Sequence, residues 1–160
     1  MREWQRVFGA GPRGAVVSLA LLWLAREAAG RIGPAPIHGA ARLGDGALVF
    51  GGLLTAALIA WSLHSLPPAE RGTRLVTRGA FRWFRHPLYA AFLLFGAPAL
   101  ALKLDHWVYL AWAVALHPLW HLNVRYEEGL MRARFGEAYE AYAVATGRFF
   151  PRLRRRAARG

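Results

Sequence analysis

The stretch Arg85-His86-Pro87-Leu88-Tyr89 brings a guanidinium, an imidazole and a phenol within about one helical turn. Pro87 suits the first turn of a helix, where its missing N–H removes no hydrogen bond. Arg85 and His86 then sit beside backbone N–H groups that carry partial positive charge, a place suited to an anion. Tyr89, one turn further in, offers a hydroxyl or a ring face. Taken alone, the stretch is more simply an interfacial anchor, with Arg85 reaching headgroups and Tyr89 in an aromatic belt.

A second set has the opposite sign. Glu127 and Glu128 follow an apolar run, where the dipole of a helix ending there prefers cations. Their compensation could come from Arg125, from Arg132 four residues beyond Glu128, or from a bound cation. A solvated charged face explains either glutamate singly and the pair less well. A third set is Tyr139 and Tyr142, on one helical face, with Arg148, Phe149 and Pro151 following. Packing against neighbouring helices is the default for such a stripe; contact with a cofactor ring is the sharper alternative. His117 and His121 have a chelating i,i+4 spacing. With no third ligand at readable spacing they are expected to pack or hydrogen-bond, and no metal site is expected. A histidine inside a membrane span is nonetheless a functional suspect by default. The chain has no cysteine, which excludes disulfides, thiolate metal sites and a cysteine nucleophile.

The elements that must position these groups are apolar blocks separated by basic clusters. The 160 residues suffice for one domain, 1–160, and are 56% apolar. The 21 basic residues crowd into 1–13, 71–85 and 148–159. That pattern fits a polytopic membrane protein, and nucleic acid is set aside as a partner despite the formal charge of +12. The fold class is therefore all-α: a membrane bundle of about four transmembrane helices plus a C-terminal amphipathic cytoplasmic helix. Spans are expected near 14–30, 46–66, 88–102 and 106–124. The first is short and resembles a signal segment, but no clear cleavage site follows it, so it is read as a retained helix. Pro67-Pro68 stops the second, Lys103-Leu104-Asp105 turns the third into the fourth, and Pro118 interrupts the fourth. Residues 125–146 are read as the amphipathic helix, with a break near Gly136.

Four spans put the N-terminus, the 67–87 loop and the polybasic tail on one side, the cytoplasmic side by the positive-inside rule. The tail would favour anionic lipid. Of the basic residues only Lys103 is lysine. Such a bias suggests a GC-rich bacterial genome, and hence a bacterial inner membrane.

The order of these elements carries a resemblance. Residues 77–89 (TRGAFRWFRHPLY), a helical hairpin, residues 127–142 (EEGLMRARFGEAYEAY) and residues 147–151 (GRFFP) together resemble the isoprenylcysteine carboxyl methyltransferase and phospholipid methyltransferase superfamily. The match covers about half the chain, 73–151; the N-terminal half matches only as generic membrane helices. The resemblance implies an integral membrane enzyme that uses S-adenosylmethionine. It assigns the cofactor pocket to Arg85, His86, Pro87, Tyr89, Glu127 and Glu128, with Tyr139, Tyr142 and Arg148 as weaker carry-overs. The candidate catalytic set is His86, Glu127 and Arg85. One departure is Ala91, where many members have glycine, so an extra methyl could tighten helix packing or the cofactor path.

The implied chemistry agrees with the residue types. A carboxylate balances a sulfonium, Arg85 and a helix N-terminus suit the anionic end of the cofactor, and a Tyr89 face attracts the cation. Methyl transfer is an in-line displacement and depends mainly on positioning. A carboxylate acceptor needs no base; an amine acceptor would need His86 or a glutamate to take a proton. Prenylated-protein tails, phosphatidylethanolamine and a small hydrophobic acid all remain open as acceptors. A membrane reductase using NADPH is the alternative enzyme class, since the arginines at 71–85 could hold a 2′-phosphate. The paired glutamates fit a sulfonium better. A non-catalytic membrane scaffold is the third reading.

Overall fold

From Gly46 to Leu63 no residue carries a charge, and the apolar run propagates as a helix well beyond those limits. The computed structural model describes residues 11–37, 40–67, 70 and 73–152, and among them regular structure is helical. The five main helices are α1 (Gly11–Ile32), α2 (Ala40–Ser65), α3 (Pro87–Lys103), α4 (Trp107–Asn123) and α5 (Arg125–Ala145). A short 3-10 turn, Gly79–Arg82, precedes α3. Residues 1–10 and the basic tail from 153 to 160 lie outside the described residues, as do Pro68 and Arg71.

Within α2, the 23 residues Leu43–Ser65 form the one helix among the described residues that is long and apolar enough by itself to cross a membrane. At 1.5 Å per residue they reach roughly 35 Å, against a hydrocarbon core of about 30 Å. The other three expected spans coincide with helices that are shorter or carry charges. The first, α1, includes Arg13, Arg26, Glu27 and Arg31. The third, α3, is a shorter apolar helix. Its central turn, Phe92–Gly96, is a π-helix. Pro98 follows that turn and has no N–H to give to Leu94, so the helix widens locally.

Pro118 does not interrupt α4. The helix runs through it, with the proline on an exposed face. Such prolines are tolerated where neighbouring structure holds the helix together. The turn between α3 and α4 places Asp105 at φ 47°. Its carboxylate accepts the Ile37 N–H at 3.0 Å. His106 caps α4 by accepting the Val108 N–H at its Nδ1. That leaves its Nε2 to donate to the Gly33 carbonyl at 3.0 Å, tying the hairpin tip to the end of α1.

The helices pack in the order α2, α3, α4, α1. In α3, at the middle, Ala90, Ala91, Ala97 and Ala101 are wholly buried. Small residues let helix backbones approach closely where lipid offers no hydrophobic drive for association. Between α4 and α1 the contact is built on Ser18. Its carbonyl accepts the Trp112 indole N–H and its hydroxyl accepts that of Trp120, both at 3.1 Å. Gly14 lies so close to Trp120 that a Cβ would collide with the indole. Large apolar side chains, among them Val16, Leu19, Phe50, Leu53 and Val114, are exposed on the outside of the bundle.

The helix α5 bends at Gly136, whose φ of 52° and ψ of −130° are non-helical and easily reached only without a side chain. The break expected near Gly136 is this kink.

Candidate active site

The extended Phe84–His86 segment is fixed by a bridge from Phe84 to Gly147. The Arg85 N–H donates to the Gly147 carbonyl at 2.7 Å and the His86 N–H to the Arg148 carbonyl at 3.1 Å. These bonds bring residues 147–149, just after α5, beside the start of α3. Three regions distant in sequence thus converge: the approach to α3 with its first turn, the first turn of α5 and the segment behind α5.

Glu128 is completely buried at their centre. Arg85 donates to its Oε1 through Nε at 3.0 Å, with Nη2 at 2.9 Å. Arg148 donates through Nε to Oε1 at 2.9 Å and through Nη2 to Oε2 at 2.6 Å. Arg132, four residues along α5, reaches Oε2 only at 3.7 Å. Burial alone would raise the Glu128 pKa, but the adjacent His86 and the two arginines outweigh it and hold the carboxyl well below its ordinary range. Reciprocally, the bond to Glu128 raises the pKa of Arg148. The compensating charge is therefore Arg85 and Arg148, rather than mainly Arg125 or Arg132.

Arg85 is occupied on its other side too. Its Nη1 donates to the carbonyls of Ala143 (2.8 Å) and Thr146, closing the last turn of α5. A guanidinium has five donors in a fixed fork, and nearly all of these now have protein partners. Its side chain is only 7% exposed, against 24% for Arg148.

Glu127 points elsewhere. Its Oε1 accepts the Tyr89 hydroxyl at 3.0 Å and its Oε2 lies 3.3 Å from His86 Nδ1. His86 is thus held between the two carboxylates, with Nε2 3.4 Å from Glu128 Oε1. That nitrogen is buried and has no well-aligned hydrogen-bond partner. Burial would lower the His86 pKa, yet the two neighbouring carboxylates, Glu127 and Glu128, overcome it and raise the value above 6.5. Tyr89 stacks on the His86 ring at 5.7 Å, and Phe149 tilts against it at 6.0 Å. Pro87 is buried at the start of α3.

Tyr139 and Tyr142 of α5 frame the cluster. Tyr142 donates its hydroxyl to the Phe81 carbonyl at 2.7 Å, and burial raises its pKa. Tyr139 is buried beneath the Arg132 guanidinium, and burial pushes its phenol up to about 12. His117 stacks on Phe150, while His121 meets Phe149 edge-on and lies 3.3 Å from an Arg148 nitrogen. Both histidines therefore pack against the segment behind α5.

Ala91 is buried, with its carbonyl accepting a hydrogen bond from Thr55 of α2 at 3.3 Å. The extra methyl belongs to helix packing.

An apolar chamber that the residue patterns did not disclose adjoins the cluster. It has a volume of about 360 Å³ and lies among α1, α3 and α4. Leu22, Phe92, Leu100, Trp112 and Trp120 are in its wall, and Tyr89 closes the end next to Glu127. The Tyr89 and Trp120 rings are 4.5 Å apart. In the sequence Trp112, Leu116 and Trp120 repeat every four residues along one helix face, and Ser18 is the only hydroxyl in its apolar run. Those were the available signals.

The donor set is of the kind that S-adenosylmethionine, the cofactor the resemblance implies, would need. Glu127 would offer a sulfonium a carboxylate and Tyr89 a ring face. Arg148, the more exposed of the two arginines, is the one that could also reach the anionic end of such a molecule.

A 70-residue segment, 44% of the chain, is 31% identical to two proteins described as probable protein-S-isoprenylcysteine O-methyltransferases, from Oryza sativa subsp. indica and subsp. japonica. The matched segment spans 37% of the length of each relative. The model of the isoprenylcysteine carboxyl methyltransferase (ICMT) family matches residues 49–133, just over half of the chain, and includes α3, α4 and the Glu127-Glu128 pair. The chain belongs to the isoprenylcysteine carboxyl methyltransferase family.

Proposed function

We propose that this protein is an integral membrane methyltransferase that takes its methyl group from S-adenosylmethionine and gives it to a lipid-borne or amphipathic carboxylate or amine. Family membership supports the reaction class. The observation that carries the reading of the acceptor is Tyr89: its hydroxyl binds Glu127 while its ring closes the apolar chamber. One side chain joins a site for charge to a site for hydrocarbon. An acceptor with a polar head and an apolar chain matches that junction, and the volume lies in the ~300–1,000 Å³ range usual for ligand pockets.

S-adenosylmethionine supplies an electrophilic methyl on a sulfonium. With it bound, Glu127 would balance the cation, Tyr89 would present a ring face to it, and Arg148 would pair with its carboxylate. Arg85, Glu128, Tyr139 and Tyr142 hold these groups in place, and Pro87 fixes the approach to Tyr89. His86 is biased toward its protonated form by two carboxylates, so it orients Glu127. With an amine acceptor, Glu127 is the better proton acceptor; a carboxylate acceptor needs none.

The exposed apolar faces of α1, α2 and α4 support four spans, since a water-soluble chain rarely exposes such surface. The exposed Arg74, Arg78 and Arg82 before α3 support a cytoplasmic location for the cluster and both termini, and the arginine bias supports a bacterial inner membrane.

The test is a comparison of S-adenosylmethionine with NADPH as stabilisers of the purified protein against heat, followed by methyl transfer from labelled S-adenosylmethionine to a lipid extract. Stabilisation by S-adenosylmethionine, weakened about tenfold in apparent affinity by Glu127→Ala and by His86→Ala, is expected. Stabilisation by NADPH alone would establish the reductase instead. Wild-type affinity in both variants would overturn the site.

A further inference from the structure

The chamber has a direction. Its wall on α1 runs from Gly11 to Leu22, eleven residues or roughly 16 Å at 1.5 Å per residue. The Gly11 end adjoins the Tyr89 hydroxyl; a Cβ on Gly11 would lie 3.4 Å from it. On α4 the wall runs from Trp120, against Tyr89, to Trp112, two turns deeper. On α3 it runs from Leu88 to Leu100. The far end is therefore made by Leu22, Leu100 and Trp112. Leu19 and Leu88, both exposed, border the chamber and open it sideways toward lipid.

The three far-end residues are not equally able to yield. Leu22 and Leu100 are flexible and only partly buried. Trp112 is 5% exposed and is fixed from two directions. Its indole N–H is bound to the Ser18 carbonyl, and its ring meets Phe92 edge-on at 6.3 Å. Ser18 is itself held, since its hydroxyl donates to the Gly14 carbonyl at 2.7 Å and accepts the Trp120 N–H.

We infer that Trp112 is a specificity-determining residue, the fixed floor that limits how long an apolar chain the acceptor can carry. This rests on the methyltransferase reading above and adds to it a length limit set at a residue remote from the charged cluster. The chain enters past Leu19 and Leu88, its head stops at Tyr89 and Glu127, and its far end meets the Trp112 indole. Length is read by exclusion, because an immobile ring cannot make room.

The experiment uses full-length protein in lipid nanodiscs with two readouts. One is methyl transfer to acids of stepped length, octanoic, dodecanoic and hexadecanoic, and to farnesyl- and geranylgeranyl-cysteine derivatives. The other is direct binding of the matching isoprenols and fatty alcohols, which needs no catalysis. Trp112→Ala is expected to shift preference toward longer chains by about tenfold in kcat/KM, through KM, with S-adenosylmethionine affinity retained. Leu22→Phe fills the same end and is expected to shift preference toward shorter chains, which keeps the test decisive if Trp112→Ala does not fold. Unchanged length preference in folded variants of both kinds would overturn the floor. A length shift in binding without transfer to any acceptor would sustain the floor and overturn the methyltransferase reading; transfer with an unshifted preference would do the reverse.

Discussion

The ionic cluster around Glu128 and the apolar chamber around Trp112 share a wall at Tyr89 and are built on opposite rules. In the cluster a buried carboxylate is bound by two arginines and lies beside a histidine, so removing any one partner leaves a buried charge exposed to low dielectric. In the chamber the polar groups are few, and the chief one, Ser18, is satisfied by its neighbours. The cluster is therefore stiff and intolerant, while the chamber can be resized. Glu127, one residue from Glu128, belongs to the boundary between them and is bound by Tyr89 and His86 rather than by the arginine fork.

The sharpest way to break the comparison is to remove the two glutamates separately. Glu128→Ala leaves Arg85 and Arg148 without their shared anion and is expected to cost about 3–5 kcal/mol of stability. Loss of the monodisperse folded protein on extraction, or a collapse of its unfolding temperature, would be the reading. Glu127→Ala is expected to cost less, about 1.5–3 kcal/mol, the net value of a hydrogen bond to a charged group, while weakening cofactor affinity. Equal destabilisation by the two changes would erase the distinction between frame and boundary.

The pH profile of stability comes next in size. Glu128 has a depressed pKa when folded, so its contribution is present above its ordinary value of 4.5 and is lost as pH falls below it. His86 has a raised pKa, so its contribution is present below 6.5 and is lost as pH rises through the folded value. Together they set maximal stability between about 4.5 and 6.5. Thermal unfolding across pH should show both limbs. His86→Gln should flatten the alkaline limb and leave the acid limb in place.

Much of this frame was legible in the sequence, because charge and apolar periodicity are local signals. The span expected at 46–66, the Lys103–Asp105 turn and the kink at Gly136 each follow from residues within a few positions, whereas the helix start at Ala40 lies in what read as a Gly/Pro-rich connection. The carboxylate pair and the Arg-His-Pro stretch were legible as sets of opposite sign, but compensation of the glutamates was expected from Arg125, Arg132 or a bound cation rather than from Arg85 and Arg148. Which arginine answers which glutamate was not legible, since Arg148 is placed by a backbone bridge to Phe84, more than sixty residues away. The chamber was hidden for a related reason: it is a gap among three helices, and Trp112 and Ser18 look like ordinary core until the helices are set side by side.

Tyr89→Phe separates the two roles of the shared wall. The ring stays to close the chamber, and only the hydroxyl on Glu127 is lost. A net hydrogen bond to a charged group is worth about 1.5–3 kcal/mol, and solvent access at Glu127 puts the expectation near the lower end, roughly a tenfold rise in the S-adenosylmethionine KM. Chain-length preference should not move. A shift in length preference would mean that the hydroxyl, and not the ring, positions the acceptor.

The smallest effect is expected at Ala91. Its side chain is buried and its carbonyl faces Thr55 of α2, outside the chamber wall. Ala91→Gly removes one methyl from a close helix contact and raises the conformational freedom of the unfolded chain, each a loss of stability. A glycine in a helix interior costs about 1 kcal/mol relative to alanine, so the unfolding temperature should fall by a few degrees. The cofactor KM, the acceptor KM and the length preference should all stay at their wild-type values. If the acceptor KM falls instead, the α2–α3 contact and the chamber are mechanically joined through the π-helical turn at Phe92–Gly96, where Phe92 both lines the chamber and meets Trp112. Unchanged constants would confine the resizable region to the far side of α3, against α1 and α4.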